Sequence, residues 1–230
     1  MLSPLRGLFM DAGLRRGSVV AVEGAGALSL SLVAGASADG AWSALVGMPD
    51  AGVLAAAGMG VDLERLLLVD EPGERWPEIT AALLDAVEVV LVRPPGRPSA
   101  TIVRRLSALA RRTGAVLIVA GDWEGAALRL RVASAQWLGL GDGHGHLRAR
   151  RALVVAEGRG GAVRPRVARL WLPAPDGTVT DAGVLPERLA PLTDLAPLTD
   201  LAPPADLALP ADLALPPALI PSVDTAGAVA

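Results

Sequence analysis

Short apolar runs alternate along residues 1–175 with stretches whose apolar residues recur at helical spacing. This alternation is typical of a parallel sheet whose strands are joined by helical crossovers. It predicts five buried strands, expected at 19–22, 41–46, 66–69, 87–92 and 115–120. The intervening helices are expected at about 29–38, 50–58, 76–86 and 99–112.

The pattern changes after Asp122. Apolar and polar residues alternate at 128–132, and again in parts of 147–156 and 163–172. Alternation with a period of two indicates antiparallel strands with one solvated face. The expected fold class is therefore α/β, with a mainly parallel core and antiparallel hairpins at its C-terminal edge.

A proline-rich hexamer repeat forms the end of the chain. From Leu189 it reads LAPLTD, LAPLTD, LAPPAD, LALPAD, LALPPA, and nine of the 19 prolines lie between Pro186 and Pro221. Proline at this density excludes helix interiors and central strands, so we expect a disordered tail. The chain thus divides into an α/β domain at 1–175 and a low-complexity tail at 176–230. The tail is either a neutral product of replication slippage or a docking segment for a partner.

Composition excludes several kinds of chemistry. The chain has no cysteine, and all 21 basic residues are arginine. Thiolate metal sites, disulfides, Schiff bases and a phosphate-loop lysine are therefore excluded. No signal peptide is recognisable, and no apolar run approaches the roughly 18 residues of a membrane helix. We therefore expect a cytoplasmic protein without membrane contact.

Charge is distributed unevenly along the chain. Residues 1–175 contain 20 arginines and 16 acids, whereas residues 176–230 contain one arginine and eight acids. The body therefore carries +4 and the tail −7. This field alone is too weak to indicate nucleic-acid binding.

A glycine-containing segment follows the first apolar run and precedes a predicted helix, which is the setting of a phosphate-binding loop. The pattern G-x-x-x-x-G-K-[ST], laid on from Gly24, leaves only the first glycine and the last hydroxyl. A leucine stands at the lysine position, where a cation would neutralise phosphate charge. We therefore expect no bound cofactor. The degenerate loop comprises Gly24, Gly26, Ser29, Leu30 and Ser31.

The position of the expected metal ligand has the opposite charge. Phosphate-loop enzymes end a buried strand with an aspartate that orients Mg²⁺, but here the fourth apolar run ends at Arg93. After the second run, Asp50 is the available carboxylate. It is interpreted as a base or, preferably, as an exposed N-cap before Ala51. No catalytic residue and no metal ligand is therefore assigned.

Several segments resemble the RecA recombinase ATPase core in order and spacing. The resemblance runs from about Gly13 to Trp137, a span of over half of the chain, and its segments are 13–24, 57–67, 72–83, 87–92 and 115–120. The resemblance implies a RecA-like fold of the P-loop NTPase type. The chain departs from RecA at the loop lysine, at the strand-end aspartate and at the catalytic glutamate, which an ungapped alignment places at Met48. These departures imply an inactive ATPase core.

Within that superfamily the chain resembles the actinobacterial ImuA-type proteins, RecA-like accessory factors of an inducible mutagenesis system. The stretches that carry this resemblance are 72–77, 92–95, 141–150 and 169–173. It implies a non-catalytic adaptor in error-prone translesion synthesis during the SOS response. The implied partners are an ImuB-type Y-family polymerase homologue and an error-prone C-family DNA polymerase.

Two further loops carry polar or aromatic side chains. Asp142, His144 and His146 suggest a metal site, but two histidines at this spacing are too few for zinc, so a glycine-rich turn is preferred. Trp123 follows the fifth apolar run, where α/β folds often place functional loops. We interpret it as either a packing residue or a partner contact.

Arginine clusters support a second hypothesis, a DNA-binding or RecA-binding recombination modulator. One cluster lies on a single predicted helix face, and another, at 148–151, follows the glycine-rich turn. They are either solvated faces or phosphate contacts on DNA. A third hypothesis, an ATPase that borrows Arg15, Arg16 or Arg93 for its missing lysine, ranks low. The possible DNA contacts on the helix are Arg104, Arg105, Arg111 and Arg112.

Overall fold

A computed structural model describes residues 1–10, 13–23, 26–140, 145–158 and 165–183. The chain divides into two units, Met1–Leu185 and Pro186–Ala230. The expectations for the hexamer repeat concern the second unit, which lies outside the described residues.

Five short strands and four helices form the first part of the fold, as the apolar pattern predicts. The strands are β1 (Val19–Glu23), β2 (Ser43–Val46), β3 (Leu66–Val69), β4 (Val89–Val92) and β5 (Val116–Ala120). The helices are α1 (Gly26–Ser37), α2 (Val53–Gly58), α3 (Trp76–Ala86) and α4 (Ala100–Thr113). Each expected strand is confirmed to within two residues at its ends. The expected burial of the third strand was wrong, because β3 is an edge strand with Leu67 and Leu68 exposed.

Four further strands complete a nine-stranded sheet. They are β6 (Leu128–Leu140), β7 (Gly145–Gly158), β8 (Arg166–Trp171) and β9 (Thr180–Asp181). The strand order is β3-β2-β4-β5-β1-β6-β7-β8-β9. All pairs from β3 to β6 are parallel, and the pairs from β6 to β9 are antiparallel. The expected fold class is thus confirmed, with β6 as the strand where the sheet changes direction.

In β1, β2, β4 and β5, alternate residues enter two hydrophobic clusters, one on each face of the sheet. On one face Val20 and Val22 pack with α1 and the N-terminal residues. On the other face Val19 and Ala21 pack with α3 and α4. Both faces are therefore covered, which explains why the parallel strands read as continuous apolar runs.

Helix α1 is buried on nearly all sides because the N-terminal residues cross it. A 3₁₀ helix at Ser3–Leu8 places Leu5 and Leu8 in the same cluster as α1. A β-carbon added at Gly35 would lie 2.9 Å from the backbone nitrogen of Leu2, so the two segments touch backbone to backbone. The N-terminal amine also pairs with Asp39 at 3.0 Å.

The folded body continues past residue 175, where the sequence placed a domain boundary. Strand β9 pairs with β8, and Val179 and Ala182 are buried. The first unit therefore extends past residue 175, to Leu185. Among helices of the described residues, none has the length and apolar character that a membrane crossing requires.

Candidate functional site

The carboxyl ends of the parallel strands meet at one edge of the sheet, where α/β folds bind ligands. β1 leads there into the degenerate loop, β2 into Met48 and Asp50, β4 into Arg93, and β5 into Asp122. This edge is therefore where a nucleotide site would have to form.

The degenerate loop leads directly into an apolar helix. Gly24 lies outside the described residues, and Gly26 is the first residue of α1. Leu30, at the lysine position, is 5% exposed and belongs to the cluster between α1 and the sheet. The position where a phosphate loop has its lysine is thus occupied by a leucine that is packed in the core.

The remaining hydroxyls of the loop are buried within α1. Ser31 is fully buried, and its Oγ donates a hydrogen bond to the carbonyl oxygen of Leu28 at 2.7 Å. Ser29 is 1% exposed. A hydroxyl that bonds its own helix backbone and lies in the core cannot reach a hydrated metal ion.

The arginine after β4 pairs with the carboxylate after β2. Arg93 Nη1 lies 2.5 Å from Asp50 Oδ1. This hydrogen bond, together with the charge of Arg93, lowers the pKa of Asp50. The N-cap interpretation of Asp50 was wrong, because α2 begins only at Val53 and its N-cap is Gly52.

A second ion pair lies after β5. Arg129 Nη1 lies 2.5 Å from Asp122 Oδ1, and Arg129 Nη2 donates to the carbonyl oxygen of Trp123 at 2.8 Å. The hydrogen bond from Arg129 lowers the pKa of Asp122, and the charge of Arg97 acts in the same direction. Sequence reasoning missed this pair because Arg129 lies on β6, whose parallel pairing with β1 the pattern did not indicate.

Trp123 has a packing role. Its side chain is fully buried, and its Nε1 donates to Ser107 Oγ on α4 at 3.1 Å. Of the two interpretations, the packing residue is therefore confirmed, because a buried indole offers no surface to a partner.

A magnesium–triphosphate group does not fit these residues. The cation position holds buried Leu30, the catalytic-glutamate position holds Met48 at 3% exposure, and the metal-ligand position holds Arg93. The nearby carboxylates Asp50 and Asp122 each pair with an arginine. Within the described residues, no group of three or more potential metal ligands occurs.

The four arginines of α4 are all exposed but differ in their partners. Arg105 lies 4.0 Å from Glu78, and Arg112 lies 3.4 Å from Asp85. Both acids belong to α3. Arg104 and Arg111 form no ion pair with a described carboxylate. The sequence predicted the four arginines as one group of possible DNA contacts. In the structure, two of them form ion pairs with α3 and two do not.

Arg15 and Arg16 lie before β1, whereas the degenerate loop follows it. The five residues of β1 place the two ends about 16 Å apart. Neither arginine can therefore replace the loop lysine, and Arg93 is held by Asp50. The hypothesis of a borrowed arginine is wrong for Arg15 and Arg16 on this distance, and for Arg93 it stays a prediction.

The proposed histidine site is only partly described. Asp142 and His144 lie outside the described residues, and His146 is an exposed residue of β7. Further along β7, the Arg150 guanidinium lies 5.7 Å from the ring centre of Trp137, its cross-strand neighbour on β6. Arg148 and Arg151 are exposed.

Comparison with known proteins places the chain in a family. A family model described as the MT3502 N-terminal domain matches residues 7–125, just over half of the chain. The chain therefore belongs to the MT3502 N-terminal domain family. The ImuA-type resemblance stays a prediction.

Two individual proteins are also similar. Over 116 residues the chain is 41% identical to Uncharacterized protein Rv3395c of Mycobacterium tuberculosis, covering 50% of this chain and 57% of that relative. The match thus spans less than two thirds of the relative's length. The crystal structure of flagellar accessory protein FlaH from Methanocaldococcus jannaschii is 11% identical, with a TM-score of 0.47 over 74% of this chain and 92% of that chain.

Proposed function

We propose that this member of the MT3502 N-terminal domain family is a non-catalytic, RecA-like adaptor in SOS-induced, error-prone translesion synthesis. It binds an ImuB-type Y-family polymerase homologue and an error-prone C-family DNA polymerase. The observation that carries the proposal is the conversion of Leu30 and Met48 to core residues and of Arg93 to an ion-paired residue.

This conversion favours a scaffold over a damaged enzyme. Leu30 and Met48 belong to one hydrophobic cluster, which joins α1 to the sheet. Their burial adds apolar contacts where an ATPase keeps a solvated cleft. Apolar side chains such as Leu30 and Met48 take the place of a nucleotide here, while the sheet and helices are kept. The outer surface of the fold is then still available to protein partners.

An exposed sheet edge offers one surface for such a partner. β3 is the outermost strand beside β2, and its Leu67 and Leu68 are 39% and 44% exposed. A free strand edge with apolar side chains can accept an added strand from another chain, through backbone hydrogen bonds and side-chain burial. We therefore place a partner-binding surface at β3.

The translesion setting comes from the sequence resemblance to ImuA-type proteins. One of the stretches that carry it, 72–77, leads into α3, with Pro77 in the first turn of that helix. Another, 92–95, contains Arg93, the residue that pairs with Asp50. The burial of Leu30, the ion pair of Arg93 and the resemblance thus support the same role.

Nucleotide binding and turnover by the purified chain test the non-catalytic part. Isothermal titration with ATP and Mg²⁺ should give no measurable heat of binding, and phosphate release should equal that of buffer. ATP binding at micromolar Kd with magnesium-dependent hydrolysis would contradict the proposal.

Co-purification with the ImuB-type protein tests the adaptor part. The double variant Leu67→Lys/Leu68→Lys should lose at least tenfold of the association seen with the unmodified chain, because charges at a strand edge oppose pairing. Leu54→Lys is the matched control, since Leu54 on α2 is 86% exposed and lies off the edge strand. Absence of association by the unmodified chain would refute the adaptor role.

A further inference from the structure

Three exposed arginines from separate parts of the chain line one cavity of about 450 Å³. Arg15 and Arg16 precede β1, and Arg111 lies in the last turn of α4. No carboxylate of the described residues pairs with any of the three. The cavity therefore concentrates positive charge that the described part of the chain leaves uncompensated.

A close backbone contact brings these arginines together. Gly17 has φ of +71°, and its backbone nitrogen donates to the carbonyl oxygen of Gly114 at 3.1 Å. A β-carbon at Gly17 would lie 3.2 Å from the Cα of Arg111. The turn before β1 is thus packed against the end of α4, and Arg15 and Arg16 are held beside Arg111.

Arg104 extends the charged surface along α4. It precedes Arg111 by seven residues, so the two lie on the same helix face about 10 Å apart. Arg104 is exposed and is likewise unpaired among the described residues. We call Arg104, Arg111, Arg15 and Arg16 the cationic row. The row is longer than the space that a single small anion would occupy.

We propose that the cationic row binds the phosphate backbone of a DNA strand. Guanidinium groups donate paired hydrogen bonds to phosphate oxygens, and several cations in a row match a chain of phosphates. Gly17, Ser18 and Gly125 line the same cavity, and such small residues let a backbone approach closely. Phosphate contacts carry no sequence information, so the binding is independent of sequence. The cavity lining includes no aromatic side chain for base stacking.

This site is separate from the adaptor role. It lies at the start of β1, whereas the filled nucleotide cleft lies at its end, and it involves no residue of β3. Failure of either proposal would leave the other standing, because one concerns protein partners and the other concerns phosphate.

Fluorescence anisotropy with the full chain and a labelled 20-nucleotide oligothymidine, at salt concentrations from 50 to 300 mM, tests the proposal. Arg15→Gln/Arg16→Gln and Arg104→Gln/Arg111→Gln should each weaken binding by about tenfold or more at 50 mM salt. Each should also flatten the slope of log K against log salt by about 1.4, the value for two lost single-strand contacts.

Arg105→Gln/Arg112→Gln is the matched control, because it removes the same charge from the same helix. Its arginines pair with Glu78 and Asp85, so its affinity should stay within about threefold of the unmodified chain. Equal losses in all three variants would overturn the proposal by showing a diffuse charge effect. No binding by the unmodified chain at 50 mM salt would also overturn it, as would binding to phosphatidylserine vesicles alone.

Discussion

Arg93 and Asp50 form an ion pair across the ends of two adjacent strands, with 2.5 Å between Arg93 Nη1 and Asp50 Oδ1. β4 and β2 are neighbours in the sheet, and Val92 lies opposite Val46, so the residues that follow both strands emerge side by side. The arginine thus joins the two loops that would border a nucleotide. The hydrogen bond and charge of Arg93 keep the Asp50 carboxylate ionised by lowering its pKa.

The ion pair predicts a low pKa for Asp50 that depends on Arg93. In ¹³C NMR titrations the Asp50 carboxyl should titrate below its ordinary value of 3.8, and Arg93→Gln should raise that pKa toward 3.8. A lowered folded-state pKa stabilises the fold above the ordinary value, and this contribution is lost as the pH falls through the lowered value. Arg97→Gln removes a charge that acts on Asp122, and it should leave Asp50 unchanged. An Asp50 pKa that is insensitive to Arg93→Gln would contradict the ion pair.

Restoring the loop lysine should destabilise the protein without restoring nucleotide binding. Leu30 is 5% exposed within the apolar cluster of α1, so Leu30→Lys buries an ammonium group without a partner. We expect the free energy of unfolding to fall by roughly 3 kcal/mol or more in urea denaturation. Leu30→Met is the control, with an expected loss below about 1.5 kcal/mol. A stable Leu30→Lys variant that binds ATP would show that the cleft is still available.

The turn after β2 should tolerate no side chain. Gly47 has φ of +72°, and an added β-carbon would lie 2.5 Å from the carbonyl oxygen of Arg93. Gly47→Ala should therefore lower the free energy of unfolding by roughly 3 kcal/mol, through strain and backbone collision together. Gly125 has φ of +75° with no atom within 4 Å of the added carbon, so Gly125→Ala should cost only about 1 kcal/mol. Equal losses in the two variants would mean that the loops after β2 and β4 are not in contact.

The strands of the parallel core could be predicted closely from sequence, because each inner strand coincides with one apolar run along the chain. Each inner strand is a short apolar run that both faces of the sheet bury, as at Val89–Val92. The long strands β6 and β7 were predicted too short, at 128–132 and 147–156. Their outer halves contain exposed residues such as Gln136 and His146, which pairing between the strands holds in place.

Features of the candidate site could be predicted where one position of a known motif determines them. Contacts between residues of two different strands or helices could not be predicted. Leu30 and Arg93 could be interpreted directly, since a known pattern specifies lysine and aspartate there. The partner of Asp50 depends on β2 lying next to β4, which the order along the chain does not reveal. The approach of Arg16 to Arg111 likewise depends on a contact between Gly17 and α4.

The tryptophans after β5 and on β6 should respond very differently to truncation. Trp123 is fully buried and donates a hydrogen bond to Ser107, so Trp123→Ala should lower the free energy of unfolding by about 3–5 kcal/mol. Trp137 is 45% exposed and contacts the Arg150 guanidinium, so Trp137→Ala should cost no more than about 1 kcal/mol. Urea denaturation followed by far-UV circular dichroism measures both. Trp123→Phe keeps most of the packing and loses the indole donor, and we expect it to fall between the two. A small loss for Trp123→Ala would mean that this indole does not anchor α4 to the sheet and would contradict its packing role.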